Sequence, residues 1–205
     1  NDAISMIQTA DGAMLEVTNM LQRMRELTVQ AASNTNGNAD LTALNTEFEA
    51  LTAQIQSISE NTEWNGKKLL DGSAGSIAFQ VGANASQTIS IEFADLNVVA
   101  GTAEATTSGT DALDLFNRID SAVDAGTDTT DLDALEFVDS NGASVDGTAL
   151  ENTIKQLDNA LARVSSHRAT LGATINRLEY AVDNLANVSQ NTAASRSRIL
   201  DADYA

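Results

Sequence analysis

The residues that could do chemistry are few, and their spacing excludes most reactions. The chain has a single histidine, His167, and no cysteine. Two histidines one helical turn apart, the pattern that grips zinc in metalloproteases, cannot occur, nor can any thiolate site. A serine triad needs a histidine base, and His167 stands beside Arg168 on a helical pattern, where an ordinary surface imidazole is expected. Asp128, Asp131 and Asp133 imitate a calcium loop, but Asp131-Leu132-Asp133-Ala134-Leu135-Glu136 fails at the fifth and sixth positions of the EF-hand pattern. No pair of glycines with a lysine at phosphate-cradle spacing is present. The reading is a non-catalytic chain with no metal and no cofactor.

Charge narrows the partners. The formal net charge is −18, the opposite of a nucleic-acid footprint, and anionic membrane surfaces should repel it. No run of eighteen apolar residues is present to cross a membrane, and no signal peptide is visible. From Asp95 to Asp146 there are twelve acidic residues and one basic, Arg118, whereas six Lys or Arg follow Leu150. The middle reads as a solvated surface and the end as a segment that meets partners.

The elements follow from apolar periodicity. Hydrophobic residues are 42% of the chain, aromatics only 4%, and proline is absent, which favours aliphatic helix seams without forced breaks. Ile4, Ile7, Met14, Val17, Leu21 and Met24 predict a helix from Asp2 to about Ser33. The Asn34–Asn38 run is turn chemistry, and Asp40 is placed to cap the next helix. Leu41, Leu44, Phe48, Leu51, Ile55 and Ile58 step by three and four, a heptad seam ending near Asn61. Ile77, Phe79 and Val81, then Ile89, Ile91 and Phe93, alternate with small or polar residues and predict a β-hairpin after the Asn65-Gly66 turn. Two strands alone are marginal, so the hairpin must lie on the helices. Leu150 through Leu185 keep a 4,3 rhythm, with weaker positions to Ile199. That is one long helix of about 75 Å, against about 48 Å for the first. The overhang calls for more helix, from chain beyond these termini or from another subunit. Between them, residues 99–147 read as a small acidic variable insert, with a short helix near 111–123 and a strand near 135–138. Two points within the long helix stand out. Arg168 occupies a seam position, where it either snorkels or pairs with an acidic neighbour to set register. Gly172 should cost about 1 kcal/mol, offset by close approach of another helix or the hairpin.

Specific strings then resemble one family. Asn1-Asp2-Ala3-Ile4-Ser5, Gln8-Thr9-Ala10-Asp11-Gly12-Ala13 and Leu21-Gln22-Arg23-Met24-Arg25-Glu26-Leu27 look like the start of the bacterial flagellin shaft. Asn65-Gly66-Lys67-Lys68-Leu69-Leu70 and Gln80-Val81-Gly82-Ala83-Asn84 are similar to its turn and hairpin. Leu171-Gly172-Ala173, Asn176-Arg177-Leu178, Ser195-Arg196-Ser197-Arg198-Ile199 and Asp203-Tyr204-Ala205 are similar to its C-terminal helix. The match spans roughly the first 95 and last 55 residues. It implies a mainly α fold with a small β part: an elongated antiparallel bundle of two N-terminal helices and one long C-terminal helix, with a β-hairpin packed on it. Residues 1–98 and 148–205 would form the shaft around the 99–147 insert, with the family's terminal channel-lining helices lying outside the sequence. The resemblance further implies a secreted, extracellular filament subunit whose partners are its own copies, although this stretch alone should be monomeric. The flagellar hook–filament junction protein, or a flagellin-like scaffold with a binding insert, are the competing readings.

The same resemblance implies a host receptor, Toll-like receptor 5, and carries its contact positions onto Gln22, Arg23, Leu27, Gln30 and Glu47. If Leu21, Met24 and Thr28 form the seam, Arg23, Leu27 and Gln30 share a neighbouring face. There Arg23 would offer a planar donor fork and Leu27 an apolar anchor. On this reading Arg23→Ala and Leu27→Ala each weaken receptor activation with helicity unchanged.

Overall fold

The computed structural model describes residues 1–33, 36–82, 86–98 and 147–202. The expected insert helix and strand lie outside these residues. Three helices and two small hairpins follow in order: α1 Asp2–Ala31, α2 Asn38–Asn61, β1 Glu63–Trp64, β2 Lys67–Lys68, β3 Ser76–Gln80, β4 Thr88–Glu92 and α3 Gly147–Ala202. The fold is mainly α, as the seams predict.

Helix α1 buries Ala3, Met6, Ile7, Ala10, Met14, Val17, Leu21, Met24, Leu27, Thr28 and Ala31. These positions recur at three and four residues, so they form one stripe. Thr28 enters the core without a lost hydrogen bond, because its hydroxyl donates to the Met24 carbonyl at 2.8 Å. The C-terminal carbonyls of α1 are satisfied by the following turn. Ala32 N–H donates to Thr28 at 2.9 Å and Ser33 N–H to Gln30 at 3.1 Å, and the Asn36 amide donates to both Gln30 and Ser33 carbonyls. These bonds serve the acceptors that every helix end leaves open.

The start of α2 differs from expectation in one respect. Gly37, with extended φ −81 and ψ 165, is the N-cap. Asp40 sits three residues on and reaches back, its Oδ2 accepting the Gly37 N–H at 3.1 Å. Asp40 thus serves as the distal half of a capping box. Leu41, Leu44, Phe48 and Ile55 are buried, and Leu51 and Ile58 are partly buried against the core. Buried Ser59 donates to the Leu70 carbonyl at 2.7 Å, which pins the loop after β2 onto the helix.

The Asn65-Gly66 turn is tighter than sequence alone indicated. Both residues have positive φ, 51 and 75, the geometry that matches the twist of a two-residue hairpin. It closes a short ladder pairing Glu63 with Lys68 and Trp64 with Lys67. The larger hairpin pairs Ser76 with Glu92, Ile77 with Ile91 and Phe79 with Ile89. Ile89 and Ile91 are buried, and Ile77 and Phe79 pack partly against the core. Its apolar face therefore lies on the helices, with β4 against α3.

Helix α3 is 56 residues long, about 84 Å at 1.5 Å per residue. Leu150, Leu157, Ala160, Val164, Leu171 and Leu178 are buried. Two ion pairs show its direction: Arg25 meets Asp158 and Asp11 meets Arg168. Numbers rise along α1 as they fall along α3, so the two are antiparallel. Burial of the seam stops near Leu178. Val182 at 45%, Leu185 at 40% and Val188 at 52% exposure continue the stripe, with Val182 and Leu185 bordering a groove shared with the start of α1 and with β3.

Candidate functional site

The residues singled out for recognition lie on α1 and α2, which run antiparallel side by side. Arg23 Nε donates to Glu47 Oε1 at 2.7 Å, and its Nη1 donates to Glu26 Oε2 at 3.2 Å. Both carboxylates raise the Arg23 pKa, the Glu47 hydrogen bond most of all. The structure therefore brings Arg23 and Glu47 together as one preformed unit, 24 residues apart in sequence. Gln30 follows Arg23 by two helical turns and is exposed, as is Gln22.

Leu27 stands apart from the group. It is fully buried in the α1 stripe, so its side chain is not presented to a partner. It thickens the core seam instead. Its removal should cost about 2–5 kcal/mol of stability, so Leu27→Ala cannot be expected to leave the fold unaltered. Apolar side chains that this face does present are Leu15 and Val29, at 44% and 48% exposure. They stand seven residues before and after Gln22, and that spacing is visible in the sequence.

A second surface lies where α1 begins. There Ile4, Phe79, Val81, Leu178, Val182 and Leu185 line a groove of about 340 Å³. It is continuous with the exposed stripe of α3. Arg168 resolves in favour of pairing: Nε donates to Asp11 Oδ1 at 2.7 Å, and this bond raises the Arg168 pKa. With Arg25 to Asp158 at 2.6 Å, it makes two crossed pairs between α1 and α3. Gly172 corrects the sequence reading, because a Cβ there would meet nothing within 4 Å. No helix or hairpin approaches it closely among the described residues. His167 is half-buried rather than a plain surface imidazole, and burial lowers its pKa despite the pull of Glu92.

Among the described residues no cluster of three or more His, Asp or Glu could hold a metal, and no helix is long and apolar enough to cross a membrane. The described helices form an antiparallel rod of apolar seams with exposed apolar surface along α3, an architecture built for lengthwise packing. Residues 1–75 match the bacterial flagellin N-terminal helical region, and residues 154–205 match the bacterial flagellin C-terminal helical region. The chain belongs to the bacterial flagellin family, whose members are structural proteins and not enzymes. It is 41% identical to flagellin of Bacillus subtilis, aligned over 100% of this chain and 66% of that protein. It is 32% identical to polar flagellin F of Vibrio parahaemolyticus, over 100% of this chain and 73% of that one. The chain thus spans about two thirds of the Bacillus subtilis relative. The crystal structure of Bacillus cereus flagellin superposes with a TM-score of 0.62 and 26% identity, covering 95% of this chain and 92% of that one.

Proposed function

We propose that this chain is the shaft portion of a subunit of the extracellular bacterial flagellar filament, whose partners are copies of itself. The observation that carries the reading is the exposed apolar stripe of α3, Val182, Leu185 and Val188. In a protein of net charge −18, a seam continuing into solvent favours burial by further helix or by neighbouring subunits. On this reading residues 1–98 and 148–205 form the shaft, and the acidic 99–147 segment faces outward. The test is assembly. The full-length parent should form filaments by electron microscopy, while the 205-residue chain sediments as a monomer. A full-length parent that never polymerises under conditions where relatives do would sink the proposal.

A finer reading concerns host recognition. The α1–α2 face with Gln22, Arg23, Gln30 and Glu47 is proposed as a contact surface for Toll-like receptor 5. The observation favouring it is the Arg23–Glu47 pair, which is held in place before any partner arrives. An anchored arginine loses less side-chain freedom on binding than a free one. Arg23→Ala should reduce receptor activation in a reporter cell line at unchanged circular dichroism. Full signalling by that variant would refute the assignment. Leu27→Ala is a poor probe, because its effect would pass through the core.

A further inference from the structure

We propose that the Asn65-Gly66 turn is a site of spontaneous main-chain modification. Asn65 converts through a cyclic imide to aspartate and isoaspartate, while the same dipeptide at Asn36-Gly37 is held back by its hydrogen bonds. The described residues contain Asn-Gly at these two places, and a third pair, Asn141-Gly142, lies outside them. The nucleophile is the main-chain nitrogen of the residue after asparagine, and glycine has no Cβ to restrict its approach. Asn65 and Gly66 are both exposed, with positive φ of 51 and 75. Among the described residues the Asn65 amide makes no hydrogen bond, and the Gly66 N–H donates to no backbone carbonyl. A Cβ at Gly66 would meet nothing within 4 Å, so the turn projects into open space. Asn36 is the opposite case. Its amide donates to the Gln30 and Ser33 carbonyls, and the Gly37 N–H donates to the Asp40 carboxylate at 3.1 Å.

The step balances with water as the only co-reactant. The Gly66 nitrogen gives up its proton to solvent base and bonds to Asn65 Cγ. The Cγ–Nδ2 bond breaks, and the amide nitrogen leaves as ammonia, taking a proton back from solvent. Water then opens the ring at the main-chain carbonyl, giving isoaspartate, or at the side-chain carbonyl, giving aspartate. Ring closure requires the Asn65-Gly66 peptide plane to rotate toward Cγ, so the turn must open first. What resists opening there is a ladder of two residue pairs, Glu63 with Lys68 and Trp64 with Lys67, and the bond from Leu69 N–H to the Thr62 carbonyl beyond it. So short a hairpin opens locally at far less cost than the core. At Asn36 the two amide bonds and the Gly37 capping bond must all break. Isoaspartate routes the main chain through the former side chain and lengthens the turn by one carbon, so Trp64 and Lys67 lose their register. Trp64 is the only tryptophan in the sequence and packs partly against the core, so its emission reports the change.

The experiment incubates the 205-residue chain at mildly alkaline pH, folded and in concentrated urea. A Glu-specific protease then cuts between the two sites, at Glu47, Glu49, Glu60 and Glu63, and mass spectrometry follows each. In the folded chain Asn65 should convert at least about tenfold faster than Asn36, the factor expected from the additional hydrogen bonds that Asn36 must break. In urea the two rates should converge. Asp40→Ala frees the Gly37 N–H and should speed Asn36 while leaving Asn65 unchanged. The isoaspartate fraction should show red-shifted Trp64 emission. Asn36 keeping pace with Asn65 in the folded chain overturns the proposal, as does an Asn65 advantage that persists undiminished in urea. If Asp40→Ala does not fold, the comparison of the folded and urea-treated parent decides alone.

Discussion

Glycine in the middle of a helix has two costs: backbone entropy and lost side-chain shielding. Together they amount to about 0.8–1 kcal/mol relative to alanine. Such a glycine is usually retained because something occupies the space a Cβ would need. At Gly12 in α1 and Gly172 in α3 nothing does: no heavy atom lies within 4 Å of either added carbon. Replacing each by alanine should therefore stabilise the chain by about 0.8–1 kcal/mol. For a chain of this size, 1 kcal/mol moves Tm by about 2–4 °C. Across the antiparallel register set by Asp11 and Arg168 the two positions are offset by about five residues, roughly 7.5 Å along the rod, and nothing lies in either site. Their effects should add to within about 0.5 kcal/mol. The internal control is Gly66, whose φ is +75 in open space. Alanine there meets no clash but adopts the left-handed region, and should destabilise by about 1–2 kcal/mol. Urea unfolding followed by circular dichroism at 222 nm reads all four variants. If Gly172→Ala or Gly12→Ala lowered the midpoint, the helix would not be regular there or another body would fill the space, and the argument would fail.

Other outcomes follow from burial and pairing. Leu21→Ala, in the fully buried stripe of α1, should lose about 2–5 kcal/mol in denaturant titration, whereas Leu185→Ala on the exposed stripe should stay within about 0.5 kcal/mol. A double-mutant cycle between Asp11 and Arg168, both about a third exposed, should yield a coupling of about 0.2–1 kcal/mol that shrinks in 1 M salt. Asp40→Ala removes the bond to the Gly37 N–H and a first-turn carboxylate, and should cost about 0.3–1 kcal/mol, measured by thermal melting.

Much of the architecture is legible from periodicity, because a seam is a local property. Leu41 through Ile58 repeat at three and four, and their burial follows. Ile77, Phe79, Ile89 and Ile91 alternate, and their hairpin forms in that register. What the sequence left open are matters of distance. Arg168 chooses between solvent and a partner only when Asp11 arrives from 157 residues away. Leu27 illustrates a different limit. It stands three residues after Met24 and one before Thr28, both buried. A helix packed on two sides, by α2 and by α3, buries a broader stripe than one seam requires. Reading a single seam places Leu27 on the open face, and the second neighbour encloses it. Gly172 shows the reverse error, where a costly residue suggested a close contact that the packing does not supply.

The last turns of α3 are held by propagation alone. Beyond Ala181, half-buried against the core, every side chain from Val182 to Leu200 is exposed. A helix of that kind inherits its nucleus from the buried turns before it, yet gains little from each added residue. Its tip should therefore shorten gradually on warming. The ellipticity of this chain should drift downward well before the cooperative melt, and a partner that captures the tip should flatten that drift.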